Sequence, residues 1–175
     1  LVYLADQDTD DVDELYTHRM GALTTLRLNT PLVAGGDVSD FRLSADGAWV
    51  VYRADGSADE RHELYVVPTD GSRPAVRLDA LHTFGDVEDD YVVGATQVVF
   101  RGNVADPLAR ELFAAPLDGS SAPRKLNGAM TAGGEVANFR LAPDETSVLY
   151  LADQETDGVY ELYEALFGRP VRGAS

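Results

Sequence analysis

Cysteine is missing from all 175 residues, which excludes disulfides and thiolate zinc sites and leaves the compartment open, because a cysteine-free chain is stable in either redox environment. Positive charge is scarce: 14 Lys and Arg face 30 Asp and Glu, a formal net charge of -16 at pH 7. A nucleic-acid backbone or an anionic membrane surface is therefore repelled over the Debye length, and the expected partners are a cation, a peptide or a protein with a basic surface. No apolar run approaches the roughly 20 residues of a membrane-spanning helix, so no membrane insertion is expected, and no secretory leader pattern opens the sequence. Paired histidines are absent as well. His18, His62 and His82 stand alone, without the spacing of a metal or acid-base pair, and the serines of Gly71-Ser72 and Gly119-Ser120-Ser121 lack a Gly-x-Ser-x-Gly elbow. Nothing singles out one acid among thirty as catalytic, so the chain is expected not to be an enzyme.

What is there is a folded composition and a repeat. With 45% hydrophobic and 25% charged residues the chain can bury a core of ordinary size. Alignment on Glu-Leu-aromatic brings together Glu14-Leu15-Tyr16, Glu63-Leu64-Tyr65, Glu111-Leu112-Phe113 and Glu161-Leu162-Tyr163, at steps of 49, 48 and 50 residues. An aromatic closing the preceding apolar run recurs in register at Tyr3, Tyr52, Phe100 and Tyr150, and a leucine recurs at Leu28, Leu78 and Leu126.

The unit from Phe41 to Leu78 reads as four short strands without helical period. Phe41-Arg42-Leu43 is the first, and Asp46-Gly47 turns it into Trp49-Val50-Val51-Tyr52, whose nearly continuous apolar run predicts packing on both faces. The third strand, Glu63 to Val67, turns at Asp70-Gly71 into the fourth, Pro74 to Leu78. A blade of that size has two apolar faces and cannot cover them alone, whereas stacking neighbours around an axis buries both. The expected fold class is therefore all-β: a β-propeller array of about four four-stranded antiparallel blades. A β-sandwich also has short strands, but no reason to repeat Glu-Leu-aromatic every fourth strand. The blades are placed at residues 1–37, 38–86, 87–135 and 136–175.

Ser44-Ala45-Asp46-Gly47 before Trp49-Val50-Val51-Tyr52, then Glu63-Leu64-Tyr65-Val66-Val67, Asp70-Gly71 and Arg77-Leu78, resembles the Ser-Pro-Asp-Gly signature of the TolB-like, WD-repeat-like propeller family. Ala142-Pro143-Asp144 in the fourth copy is similar to it, and the resemblance covers essentially the whole chain. It departs in the third copy, where Val93-Gly94-Ala95 replaces the Asp-Gly turn and shortens that hairpin. The family includes a periplasmic translocation propeller and the propeller domains that cap prolyl peptidases. The resemblance thus implies a non-enzymatic binding or scaffold module in a periplasmic or extracellular setting, or an accessory, gating domain of a larger peptidase-type hydrolase.

The first unit begins in its second strand, Leu1-Val2-Tyr3-Leu4, so its inner strand is expected to be missing, and Arg169-Pro170-Val171-Arg172 allows only a stunted fourth strand in the last. Unpaired strand edges template association. The array is therefore expected to belong to a larger ring, completed by further blades of a parent chain or by a second copy joining head to tail as a homodimer of about eight blades.

Loops between second and third strands should share one end of the ring with the connections from fourth to first strands, and both sets are acidic. The first set holds Asp6, Asp8, Asp10, Asp11, Asp13 and Glu14, and Asp153, Glu155, Asp157 and Glu161; the second holds Asp37, Asp40, Asp86, Glu88, Asp89, Asp90 and Glu135. Asp153, Glu155, Asp157 and Glu161 stand at loop positions 1, 3, 5 and 9 with Gly158 at 6, and Asp6, Asp8, Asp10 and Glu14 repeat the pattern. Calcium loops use that spacing, because alternate residues of a tight loop point inward and a hard cation takes six to eight oxygens. The second copy, Asp55, Ser57, Asp59 and Glu63, is weaker, and the third keeps only Asn103 and Glu111 and is expected to be empty. The alternative is solvated hairpin loops, with the first aspartate forming an Asx-type turn and the glutamate pairing across its strand.

Overall fold

The structure, a computed structural model, describes residues 1–80, 85–103 and 105–167. The described residues contain no helix and form fourteen strands in four antiparallel sheets. The first sheet holds β1 (Val2–Ala5), β2 (Glu14–Thr17) and β3 (Leu26–Arg27). The second holds β4 (Val38–Leu43), β5 (Trp49–Ala54), β6 (Glu63–Pro68) and β7 (Val76–Arg77). The third holds β8 (Val92–Val93), β9 (Gln97–Gly102), β10 (Glu111–Pro116) and β11 (Arg124–Lys125). The fourth holds β12 (Val136–Leu141), β13 (Ser147–Ala152) and β14 (Glu161–Leu166). Every sheet is a meander in chain order, and each sheet falls within one repeat unit.

The first sheet lacks an inner strand, as the pattern at Leu1 to Leu4 requires. The stretch Arg169 to Arg172 and His82 lie outside the described residues. Several boundaries differ from the pattern: the fourth strand of the second blade is only Val76–Arg77 where the pattern predicts Pro74 to Leu78, and two further differences have a visible cause. The inner strand β4 begins at Val38 rather than Phe41, because a bulge between Val38 and Asp40 lets the chain turn into the blade without leaving the ladder. In the third sheet β8 shrinks to two residues, since Gly94 donates to Gln97 at 2.8 Å and closes the hairpin early.

The repeated aromatics explain the register. Tyr3 lies opposite Tyr16, Tyr52 opposite Tyr65, Phe100 opposite Phe113 and Tyr150 opposite Tyr163. Each pair stacks across its two central strands, with centroids 5.8, 5.2, 5.6 and 5.4 Å apart. Such cross-strand pairs contribute about 0.5–1.5 kcal/mol beyond the area they bury and fix which residues face each other.

The core lies between sheets, in three seams. Leu15 and Leu28 of the first blade meet Val50, Tyr52, Tyr65 and Val67 of the second. Val51, Leu64 and Val66 meet Val87, Tyr91, Val98, Phe100 and Phe113 of the third. Val99, Leu112 and Ala114 meet Val136, Phe139, Val148 and Tyr150 of the fourth. Main-chain bonds repeat at every seam: the amides of Val38, Val87 and Val136 donate to the carbonyls of Asp13, His62 and Arg110 at 2.8, 2.9 and 2.8 Å. Sequential blades fanned over one another in this way are the layout of a propeller.

Burial pushes the Tyr52 phenol up to about 12, against a hydrogen bond from the Thr30 amide at 3.1 Å that lowers it. Burial also raises Tyr16, Tyr65 and Tyr91, which donate to Glu14, Glu63 and Asp40. These folded-state values lie above the unfolded value of about 10, so the stability they contribute is complete below about pH 10 and is lost as pH rises towards 12. Unfolding free energy measured by urea titration is expected to fall steeply across that window, and Tyr52→Phe to remove part of the slope.

Candidate functional site: the acidic loop rim

Loops at one end of the array are tied together, which places their carboxylates on a common rim. The Asp55 amide donates to Asp37 O at 3.0 Å, Val33 to Asp55 O at 3.3 Å, Thr131 to Gln154 O at 2.9 Å and Asp153 to Glu135 O at 3.3 Å. Connections after the second strand and after the fourth strand therefore share that end.

The two acidic sets behave differently there. Acids on and before the inner strands are held, some across a seam and some within their own blade. Asp37 accepts from the Asp13 amide at 2.7 Å and Asp86 from the His62 amide at 2.9 Å. Asp40 pairs with Arg53 at 2.9 Å, and Asp90 with Arg101 at 3.0 Å. Arg110 spans Glu88 at 2.6 Å and Glu135 at 3.1 Å. In the hairpins after the second strands, by contrast, Asp6, Asp8, Asp10, Asp11, Glu155 and Asp157 are exposed. Exposed carboxylates some 4 Å apart repel by only about 1 kcal/mol in water, so such loops tolerate the clustering.

The residues read as calcium ligands occupy separate places. Asp153 is buried, and its two oxygens accept from the amides of Glu135 at 2.6 Å and Gly158 at 2.9 Å, an Asx-type turn that holds its carboxyl below the usual carboxylate range. Glu155, Asp157 and Glu161 are exposed, and Glu161 accepts from the Tyr163 hydroxyl at 2.8 Å. Asp6 and Asp10 are exposed; Asp8 lies 3.7 Å from Arg27. Glu14 is buried and turned along its strand, accepting from Tyr16 Oη at 2.7 Å and Arg27 at 2.6 Å. Among the described residues, no three Asp, Glu or His side chains converge on a point where a metal ion would sit.

The repeated glutamate belongs to a buried network whose partners recur too. Glu63 receives Tyr65 Oη at 2.6 Å, Arg61 at 2.7 Å, Arg77 at 2.8 Å and the Ser57 hydroxyl. Arg77 also holds Asp79 at 2.8 Å, and Lys125 pairs with Glu111 as Arg27 does with Glu14. Asn29, Asp79 and Asn127 accept the amides of Leu15, Leu64 and Leu112 at 2.9, 3.0 and 2.8 Å, closing each blade. A signal for these partners stands in the sequence as Arg27-Leu28-Asn29, Arg77-Leu78-Asp79 and Lys125-Leu126-Asn127. Gly56 makes room for this network, since a Cβ there would overlap the Tyr65 hydroxyl. Gly56→Ala is expected to cost about 1–3 kcal/mol, read as a lowered Tm.

His62 stands at the seam between the second and third blades. Its ring nitrogens lie 3.8 Å from Asp55 Oδ1 and 3.8 Å from Asp86 Oδ1. Burial raises the Asp55 carboxyl above its ordinary range.

No protein-family model and no curated protein matches this chain. Among solved structures, one from a study of two prolyl endopeptidases and the role of inter-domain dynamics in their catalysis and specificity superposes over 100% of this chain, with a TM-score of 0.64 at 20% identity. The chain is a run of β-propeller blades. It spans 25% of that endopeptidase chain, and at this identity the likeness carries the fold alone. The seam acids are engaged by amides and arginines, whereas Asp6, Asp10, Asp11, Glu155 and Asp157 stand exposed on the hairpins.

Proposed function

We propose that this propeller is a non-enzymatic scaffold and binding module whose hairpin rim receives a basic peptide or protein surface. The observation supporting this reading is the division of the acids: those on and before the inner strands are held by amides of the preceding blade or by arginines, while Asp6, Asp8, Asp10, Asp11, Glu155 and Asp157 stay exposed. Concentrated surface charge of one sign steers an oppositely charged partner and loses its grip when salt shortens the screening length. Fluorescence anisotropy with a labelled oligolysine peptide tests it: affinity is expected to drop at least tenfold as ionic strength rises from about 0.01 M to about 0.15 M, where the Debye length shrinks from about 30 to 8 Å. Asp8→Asn with Asp10→Asn and Asp11→Asn should weaken binding at low salt. Binding that ignores salt, or none at all, would contradict the reading.

Calcium plays no part in this proposal, because Glu14 and Asp153 are already satisfied by protein donors. Calorimetry with calcium after chelation is expected to show no saturable heat and no rise in Tm; a stoichiometric heat would assign the loops as ligands. A second reading is favoured by the likeness to the prolyl endopeptidase and by the Ser-Pro-Asp-Gly-like turns: an accessory propeller of a larger peptidase-type hydrolase, within a ring larger than these blades. The open reading frame tests that one, since a following α/β segment with a Gly-x-Ser-x-Gly elbow supports it and its absence removes it.

A further inference from the structure

At each of the three seams the leading blade offers the same parts. The residue before Glu-Leu-aromatic, namely Asp13, His62 or Arg110, gives its carbonyl to the valine of an acidic-Val pair opening the next blade: Asp37-Val38, Asp86-Val87 or Glu135-Val136. The leucine of the motif is then sealed, and Leu15, Leu64 and Leu112 are all fully buried. The fourth blade offers the same parts uncovered. Tyr160 stands in the carbonyl-giving position, and Leu162, paired with Leu151 as Leu64 is with Arg53, is 67% exposed. Leu149 on the same face, in the place of buried Val51, is also exposed.

We infer that this face of the fourth blade is the docking surface for a further propeller blade, one whose inner strand opens on an acidic residue followed by valine. The established seams specify its chemistry. Arg140, opposite Leu149 as Arg42 is opposite Val51, sits where Arg42 lies over the Tyr91 ring at 4.3 Å, so the incoming blade should bring an aromatic shortly after its valine. Glu164 takes the place of Val66 and Ala114, which calls for a cation facing it. The likeness to a solved chain of which these blades span 25% favours a further blade of a longer polypeptide as the occupant. The inference rests on the reading that these blades belong to a larger ring, and not on what the rim binds.

The acidic-Val pairs recur at steps of 49 residues, so the reading frame should carry the next one about 49 residues beyond Glu135. Because the chain is free of cysteine, Leu162→Cys gives a single thiol on the face, and Leu23→Cys gives a fully exposed control. Maleimide labelling is compared in the 175-residue chain and in the polypeptide extended by its own reading frame through the next blade. Labelling at position 162 is expected to slow by about 100-fold or more in the extended protein, independent of concentration, with the control unchanged. Should the variant unfold the extended protein, amide exchange over residues 161–166 of the unsubstituted protein reads the same protection. Protection that appears in the 175-residue chain as its concentration rises assigns the face to a second copy; this overturns the inference while leaving a larger ring. Labelling at full rate in both proteins, or a reading frame without the acidic-Val pair, overturns both.

Discussion

Glu63→Ala is expected to remove about 3–5 kcal/mol of unfolding free energy, a large part of the roughly 5–15 kcal/mol that holds such a domain together. The side chain is fully buried and accepts from Tyr65, Arg61, Arg77 and Ser57, so its loss opens a hole, leaves the Tyr65 hydroxyl without its acceptor and leaves Arg77 with Asp79 alone. Most of the cost comes from leaving several buried donors short of an acceptor at once rather than from the strength of any one bond. Tyr65→Phe removes a single donor and is expected to cost only about 1 kcal/mol. Urea titration measures both, and a Glu63→Ala loss below about 1 kcal/mol would mean the network is ornamental.

Leu64→Ala is expected to cost about 2–5 kcal/mol, because a fully buried leucine in the second seam leaves a cavity that the neighbouring sheets, tied by their own ladders, cannot close. At the equivalent position of the last blade, Leu162→Ala should change the stability of this chain by no more than about 0.5 kcal/mol. The same substitution in the same motif thus compares a leucine sealed in a seam with one that is 67% exposed. Equal losses at both positions would show that the leucine stabilises its own sheet and not the seam.

The four antiparallel sheets were legible because their cause is local: a four-strand unit needs turn chemistry at Asp46-Gly47 and Asp70-Gly71, and stacked aromatics such as Tyr52 and Tyr65 have to stand opposite one another. The direction of the acids was less legible. Spacing at 1, 3, 5 and 9 describes a calcium loop only if the chain curls around a point, whereas Glu14 and Glu63 lie on strands and face Arg27 and Arg77 from a later strand of the same sheet. That pairing joins residues 13 and 14 positions apart, beyond the reach of any local pattern. It becomes visible only when the basic residue before Leu28, Leu78 and Leu126 is taken with the repeat. The seam clamps leave a fainter trace still, since the main chain of Asp13, His62 and Arg110 makes them and three different side chains serve equally well.

Native-state amide exchange at Val38, Val87 and Val136 is the most direct test of blade-on-blade stacking, because these amides have acceptors only across a seam. Protection at all three close to that of the central strands β5, β9 and β13 is the result the account predicts. Exchange at the rate of an open loop, with the strands themselves still protected, would mean that the sheets form without fanning around a common axis.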